Sequence, residues 1–195
     1  MSQTSFEFEE HQVVRVLRLR SDDGTNRLTR TCVVSLMETL YGLRREARGL
    51  IIAGNGKFFS AGAELEEIAA LNVPGAYEFS RLGQSLMAAI ENFPAPVCAA
   101  ISGYCMGGGL DLALACHRRI AAPNAIFGHR GVALGLITGW ERTQRLARVI
   151  GKARALEMFV AAEKVGATQA LRIGLIERIA EDPIAEAGRR IRDIR

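Results

Sequence analysis

The sequence predicts an α/β domain built on a mostly parallel sheet, and two observations carry that reading. Short apolar runs that read as buried strands alternate with longer apolar-periodic stretches that read as helices. Two of these strands, Leu50-Ile51-Ile52-Ala53 and Val97-Cys98-Ala99-Ala100-Ile101, lead to glycine-rich loops. The loops are Phe58-Phe59-Ser60-Ala61-Gly62-Ala63-Glu64 and Cys105-Met106-Gly107-Gly108-Gly109-Leu110-Asp111, and each precedes a helix-like stretch. Turns of that kind expose backbone N–H groups, and two of them could aim two donors at one developing oxyanion. That combination points to acyl chemistry. One such loop would mark only a tight turn; two in matching contexts are far more specific.

The elements follow in order. Phe6–Glu9 and Val13–Leu19 read as a strand hairpin, with His11 in its turn, and 22–26 is a further turn rich in Asp, Gly and Asn. Thr29 or Thr31 caps a helix to about Arg45, with Val33, Leu36, Met37, Leu40 and Leu43 on one face. After the strand at Leu50 and the first glycine loop, a short helix runs from Glu64 to about Leu71. Pro74 opens a long helix to about Asn92, periodic in Phe79, Leu82, Leu86 and Ile90, and Pro94 and Pro96 follow it. The second glycine loop starts a helix through Cys116. Short strands at 119–122 and 125–127 flank a Pro123-Asn124 turn, and helices follow at about 140–149 and 151–161. Gly174–Ile179 reads as a last strand and 183–194 as a last helix. Residues 1–195 form one domain in this reading, with a core at about 6–180 and no linker or repeat.

Composition excludes several classes. Hydrophobic residues make up 49% of the chain, enough for a sizeable core, yet no run approaches a membrane span. The N-terminus lacks the basic-then-apolar order of a signal peptide, so a cytoplasmic protein is expected. Cys32, Cys98, Cys105 and Cys116 form no CxxC pair and read as reduced and mostly buried. A metal site is not expected. The net charge of +4 is spread along helices, and the sparse aromatics are not interleaved with basic residues, which argues against nucleic acid. A modest basic bias suits a polyanionic small ligand such as a nucleotide-bearing thioester.

The order Gly54-Asn55-Gly56-Lys57-Phe58-Phe59-Ser60-Ala61-Gly62-Ala63-Glu64-Leu65, then Gly103-Tyr104-Cys105-Met106-Gly107-Gly108-Gly109-Leu110-Asp111-Leu112-Ala113, resembles the crotonases, the enoyl-CoA hydratase/isomerase superfamily. Phe127-Gly128, Thr143-Gln144-Arg145-Leu146, Ile150-Gly151-Lys152 and Gly174-Leu175-Ile176 extend the match collinearly from about 6 to 185. The resemblance implies a spiral of ββα units, with the usual C-terminal helical region shortened in this chain. It implies an acyl-CoA thioester as substrate, no cofactor beyond the coenzyme A that the substrate carries, and a homo-oligomer, a trimer or hexamer. It also implies backbone N–H donors at Ala63 and Gly108, with the stretch from Ser60 and Ala61 to Glu64 and Leu65 meeting the adenine end of coenzyme A. Gly62 and Gly107 allow the close approach such a site needs. Lys57 reads either as a phosphate contact or as an exposed loop lysine.

The chain departs from the family where hydratases place two glutamates. The first position holds Asp111 and the second Gly131. Hydration needs both groups on one water, so isomerisation or α-proton transfer is favoured over it, within a family tied to fatty-acid metabolism and lyase chemistry. Asp111, which has a counterpart in the dienoyl-CoA isomerases, is the leading acid/base candidate; it also reads as a favourable charge in a helix's first turn. Glu141 is a second candidate, or a helix-start glutamate pairing with Arg142 or Arg145. His129 reads as a proton carrier or a structural loop histidine, and Arg130 as a clamp for a substrate carboxylate or phosphate. His129, Arg130 and Gly131 together resemble the naphthoate-synthase branch, in which bound bicarbonate supplies the base. The alternatives are a non-catalytic acyl-CoA-binding member and a bicarbonate-assisted or decarboxylating one. His117 reads as a helix-end residue suited to the dipole, and nothing in the sequence activates Cys105.

Overall fold

A computed structural model describes residues 4–11, 14–129, 131–136, 139–140 and 142–193. Two of the candidate site residues, Arg130 and Glu141, lie outside them. β1 (Thr4–His11) pairs antiparallel with β2 (Val14–Ser21), Phe6 opposite Leu19. His11 therefore ends a strand, where the sequence places it in a turn. The strands β4 (Gly49–Ala53), β7 (Val97–Ile101), β9 (Arg118–Ala121) and β12 (Arg178–Ile179) then add in parallel, giving the six-stranded order β1-β2-β4-β7-β9-β12. Every residue of β4 and β7 is buried, as expected of central parallel strands covered on both faces. The predicted last strand shrinks to β12, because residues 174–177 form the turn that leads into it.

Helices cover both faces. α1 (Arg30–Leu43) starts at Thr29, whose hydroxyl accepts from the Cys32 N–H at 3.2 Å. It packs beside α3 (Val73–Glu91), which is capped by Asn72 and carries Pro74 in its first turn. α2 (Leu65–Ala69) is the short helix after the first glycine loop, and α4 (Gly108–Ala115), buried along its whole length, follows the second. α5 (Arg142–Ile150), α6 (Lys152–Ala161) and α7 (Ala167–Arg172) close that side. On the other face, Ala187 and Ile191 of α8 (Pro183–Arg192) pack on Val14, Val16, Ile51 and Cys98.

The short strands form a second layer, of which the sequence shows only the strand at 125–127. β5 (Phe58–Ser60), β8 (Tyr104–Met106), β10 (Ile126–Gly128) and β11 (Lys164–Gly166) form a sheet in the order β11-β10-β8-β5. A two-stranded ladder joins β3 (Arg27–Leu28) to β6 (Gly62–Ala63). Both glycine loops are thus flanked by strands of a small sheet rather than running straight from strand to helix. His117 also has a different role from the one expected. Its Nδ1 accepts from the Val97 N–H at 2.9 Å, and its Nε2 lies 3.1 Å from the Glu91 carbonyl, so it staples the end of α3 to the start of β7.

All four cysteines are buried. Burial pushes the Cys32 and Cys98 thiols up to about 12 and Cys116 higher still, so these three are inert sulfhydryls at neutral pH. At the far end, the Glu186 carboxylate, 3% exposed, meets Arg178 at 3.3 Å, Arg190 at 3.1 Å and Arg189. The Arg190 hydrogen bond, with the charges of Arg189 and Arg178, holds Glu186 below the ordinary carboxylate range against its desolvation. A group depressed in the folded state stabilises it at pH values above its unfolded pKa, and this contribution is lost as pH falls through the folded pKa. Glu186→Gln is therefore expected to lower the thermal midpoint at neutral pH. The difference from the native protein should close on acidification below the ordinary glutamate range, as read from melting curves across pH.

Candidate functional site

The first glycine loop is positioned by the turn at 22–26. Asn26, fully buried and with φ of 52°, donates through Nδ2 to the carbonyls of Phe58 at 3.0 Å and Phe59 at 3.3 Å. Its own carbonyl accepts from the Ser60 hydroxyl at 2.6 Å, and the Ala61 N–H reaches the Thr25 carbonyl at 2.9 Å. Ser60 Oγ accepts in turn from the Gly62 N–H at 3.1 Å. The second loop is held from the other side: the Gly107 N–H bonds the Gly128 carbonyl at 3.0 Å, across the β8–β10 pair.

These anchors drive the two loops into contact. Gly62 has φ of 100° and Gly107 φ of 50°, backbone conformations that favour glycine. A methyl group at Gly62 would lie 2.7 Å from the Met106 carbonyl and 2.9 Å from the Gly108 nitrogen. One at Gly108 would lie 3.1 Å from the Ala63 nitrogen. The peptide nitrogens of Ala63 and Gly108 are thereby brought side by side. Gly108 is the first residue of α4, so its N–H has no intrahelical partner and stands at the positive end of the helix dipole.

The two loops open on a cavity of about 750 Å³. Its polar end holds Ala63, Gly107, Gly108, Asp111, His129 and Gly131; Ala61 and Leu65 also line it. Asp111 sits in the first turn of α4 and is 2% exposed. Seven of the residues expected to bind substrate or act in catalysis are therefore gathered with Asp111 around one space. Ser60 and Glu64 are not. The Ser60 side chain is spent on the Asn26 and Gly62 hydrogen bonds, and Glu64 is buried against Arg27 at 3.4 Å, so both shape the loop from behind.

His129 and Gly131 are a matched pair. The Gly131 N–H donates to His129 Nδ1 at 3.0 Å, which leaves Nε2 as the nitrogen bearing the ring proton. The sequence offers His129 either as a proton carrier or as a structural loop histidine, and this hydrogen bond ties the ring to the backbone of its own loop. A methyl group at Gly131 would fall 2.1 Å from His129 Cε1 and 2.7 Å from the Leu136 carbonyl. The imidazole therefore occupies the space into which a side chain at 131 would grow.

Several cavity residues had no signal in the sequence. Trp140, the only tryptophan, lies against Gly108, and Phe79, Ile68 and Leu71 extend an apolar wall from it. Lys164 reaches the rim, its Nζ 5.3 Å from the Tyr104 ring centre. Arg145 bonds the Trp140 carbonyl at 3.2 Å and Glu91 at 2.9 Å; the pairing with Glu141 that the sequence offers falls outside the described residues. Among the described residues, no group of three His, Cys, Asp or Glu is placed to hold a metal, and no helix is long and apolar enough to cross a membrane.

Residues 9–190 match the family model described as Enoyl-CoA hydratase/isomerase. A Bacillus subtilis protein named "Probable enoyl-CoA hydratase" is 47% identical over 138 residues, 69% of this chain and 53% of that protein. The crotonyl-CoA hydratase of Syntrophomonas wolfei is 35% identical over 176 residues, 89% of this chain and 68% of that protein. The chain thus spans about half the length of the first relative and about two thirds of the second. The crystal structure of an enoyl-CoA hydratase from Bacillus anthracis superposes with a TM-score of 0.87 at 32% identity, covering 97% of this chain and 74% of that one.

The loop contact gives a direct test. Gly62→Ala is expected to lower stability by about 1–3 kcal/mol from backbone strain alone, with the contact against the Met106 carbonyl adding to it. Urea unfolding of the variant beside the native protein reads the shift in midpoint.

Proposed function

Starting from the membership of this chain in the enoyl-CoA hydratase/isomerase family, we propose that its site forms and holds a thioester enolate on an acyl-CoA substrate, with Asp111 as the group that moves the proton. The observation that carries this reading is the side-by-side placement of the Ala63 and Gly108 nitrogens next to a buried carboxylate, in one largely apolar cavity. Two N–H donors aimed at the thioester oxygen stabilise charge that appears only as the α-proton leaves.

The steps balance with one carboxylate. Asp111 takes a proton from C2 of a 3-enoyl thioester, and the C–H electron pair shifts through the carbonyl carbon onto the thioester oxygen, between the two N–H groups. Return of the proton at C4 moves the double bond to C2, and return at C2 is simple exchange. Neither outcome requires a second base. Hydration requires water and a proton to be handled together. Here Gly131 brings no carboxylate, and the His129 imidazole fills the space a side chain at 131 would take. Isomerisation or α-proton transfer therefore fits this site better than water addition. The apolar wall of Phe79, Ile68 and Leu71 suits a hydrocarbon acyl chain, and Lys164 at the rim suits an anionic carrier such as coenzyme A.

Saturated, 2-enoyl, 3-enoyl and malonyl thioesters incubated with the protein in D₂O and read by mass spectrometry test this. Expected are deuterium at the α-carbon and migration of a 3-enoyl bond, with Asp111→Asn losing both by about 10²-fold or more while still binding the thioester. Loss of CO₂ from the malonyl compound, or turnover that depends on added bicarbonate, would replace this reading with a decarboxylating or bicarbonate-assisted one. Binding without any chemistry would make the chain an acyl-CoA-binding module.

A further inference from the structure

We infer that Trp140 sets the upper limit on the length of the acyl chain this site accepts. The inference rests on the reading of the cavity as an acyl-thioester site. The indole is 4% exposed and is wedged between two helices where each has a glycine. A methyl group at Gly83 of α3 would lie 2.0 Å from Trp140 Nε1 and 2.2 Å from Cδ1 and Cε2. One at Gly108 of α4 would lie 2.7 Å from Cζ3. The indole fills the gap that these two glycines leave, and neither helix has a side chain there to fill it instead.

The ring is also held in place. Its Nε1–H donates to the Phe79 carbonyl at 3.3 Å, and the Phe79 and Trp140 ring centres are 5.4 Å apart. The preceding Gly139 carbonyl accepts from Ser80 Oγ and Gln84 Nε2, each at 2.8 Å. The Trp140 carbonyl is held by Arg145. Anchored on both sides of its own peptide, the indole cannot swing aside without breaking several hydrogen bonds and its packing against α3. It thus forms a fixed stop beside Gly108, whose N–H faces the thioester oxygen in the proposed function. An acyl chain that leaves that carbonyl toward α3 meets the indole, and the space between Gly83 and Gly108 is closed to it.

Titration calorimetry with saturated butyryl-CoA through dodecanoyl-CoA tests this without any turnover. The native protein is expected to bind butyryl-CoA and to lose affinity beyond a short chain length. Trp140→Ala should shift the butyryl/decanoyl ratio of Kd toward decanoyl-CoA by about tenfold or more, since two further buried methylenes supply roughly that factor. Trp140→Leu should shift it less. A native protein that binds decanoyl-CoA as tightly as butyryl-CoA overturns the inference, and this arm needs no variant. So does an unchanged ratio in a folded Trp140→Ala that still binds butyryl-CoA. If the native protein binds none of these thioesters, the acyl-thioester reading fails and the inference falls with it. That result is distinct from tight binding with no length limit.

Discussion

The contact between the two glycine loops is the constraint on which the rest of this structure depends. Two peptide backbones approach until Cβ atoms at Gly62 and Gly108 would strike the opposing main chain. Side chains cannot hold such an approach, because there is no room for them, so the contact is imposed from outside. Asn26 and Ser60 hold one loop from behind, and the β8–β10 ladder holds the other through Gly107 and Gly128. Each anchor pairs a backbone polar group that must be satisfied on folding, so the forces that satisfy the loops also position their nitrogens. The large sheet sets the frame: β4 and β7 are adjacent and parallel, which delivers both loops to the same end of the sheet.

The cavity that results has one polar end and one apolar wall. The polar end combines the helix-start N–H of Gly108, at the positive end of the α4 dipole, with the buried carboxylate of Asp111. Trp140, tied to α3 by the hydrogen bonds around Gly139, bounds the wall. Because the indole rests on Gly108, packing at the apolar wall and geometry at the polar end are coupled through one residue. A change of volume at Trp140 will therefore also be felt at the donor.

His129 and Gly131 illustrate how an absent side chain can be read. Glycine at 131 looks from the sequence like a deletion of function. In the structure the imidazole of His129 occupies that volume, and the Gly131 N–H fixes its tautomer. The position is filled by a neighbouring ring rather than left as an empty place.

The sequence alone was enough for the large parallel sheet, the hairpin, the long helices and the two loops, because these are written in local periodicity and in glycine, capping and proline signals. Thr29, Pro74 and the apolar runs at Leu50 and Val97 each act within a few residues of themselves. Ala63, Gly108 and Asp111 were legible for the same reason: the glycine motifs mark them. Apart from β10, read at 125–127, the second sheet was not, since β5, β8 and β11 are three residues long, and such strands exist only through partners distant in the chain. Nor was the length of β12, the staple made by His117, or the retreat of Ser60 and Glu64 behind the loop. Trp140 and Lys164 join the cavity from far along the chain. What a side chain does once two remote segments meet depends on the volume and hydrogen bonds that the other segment offers, and only the tertiary structure brings those together.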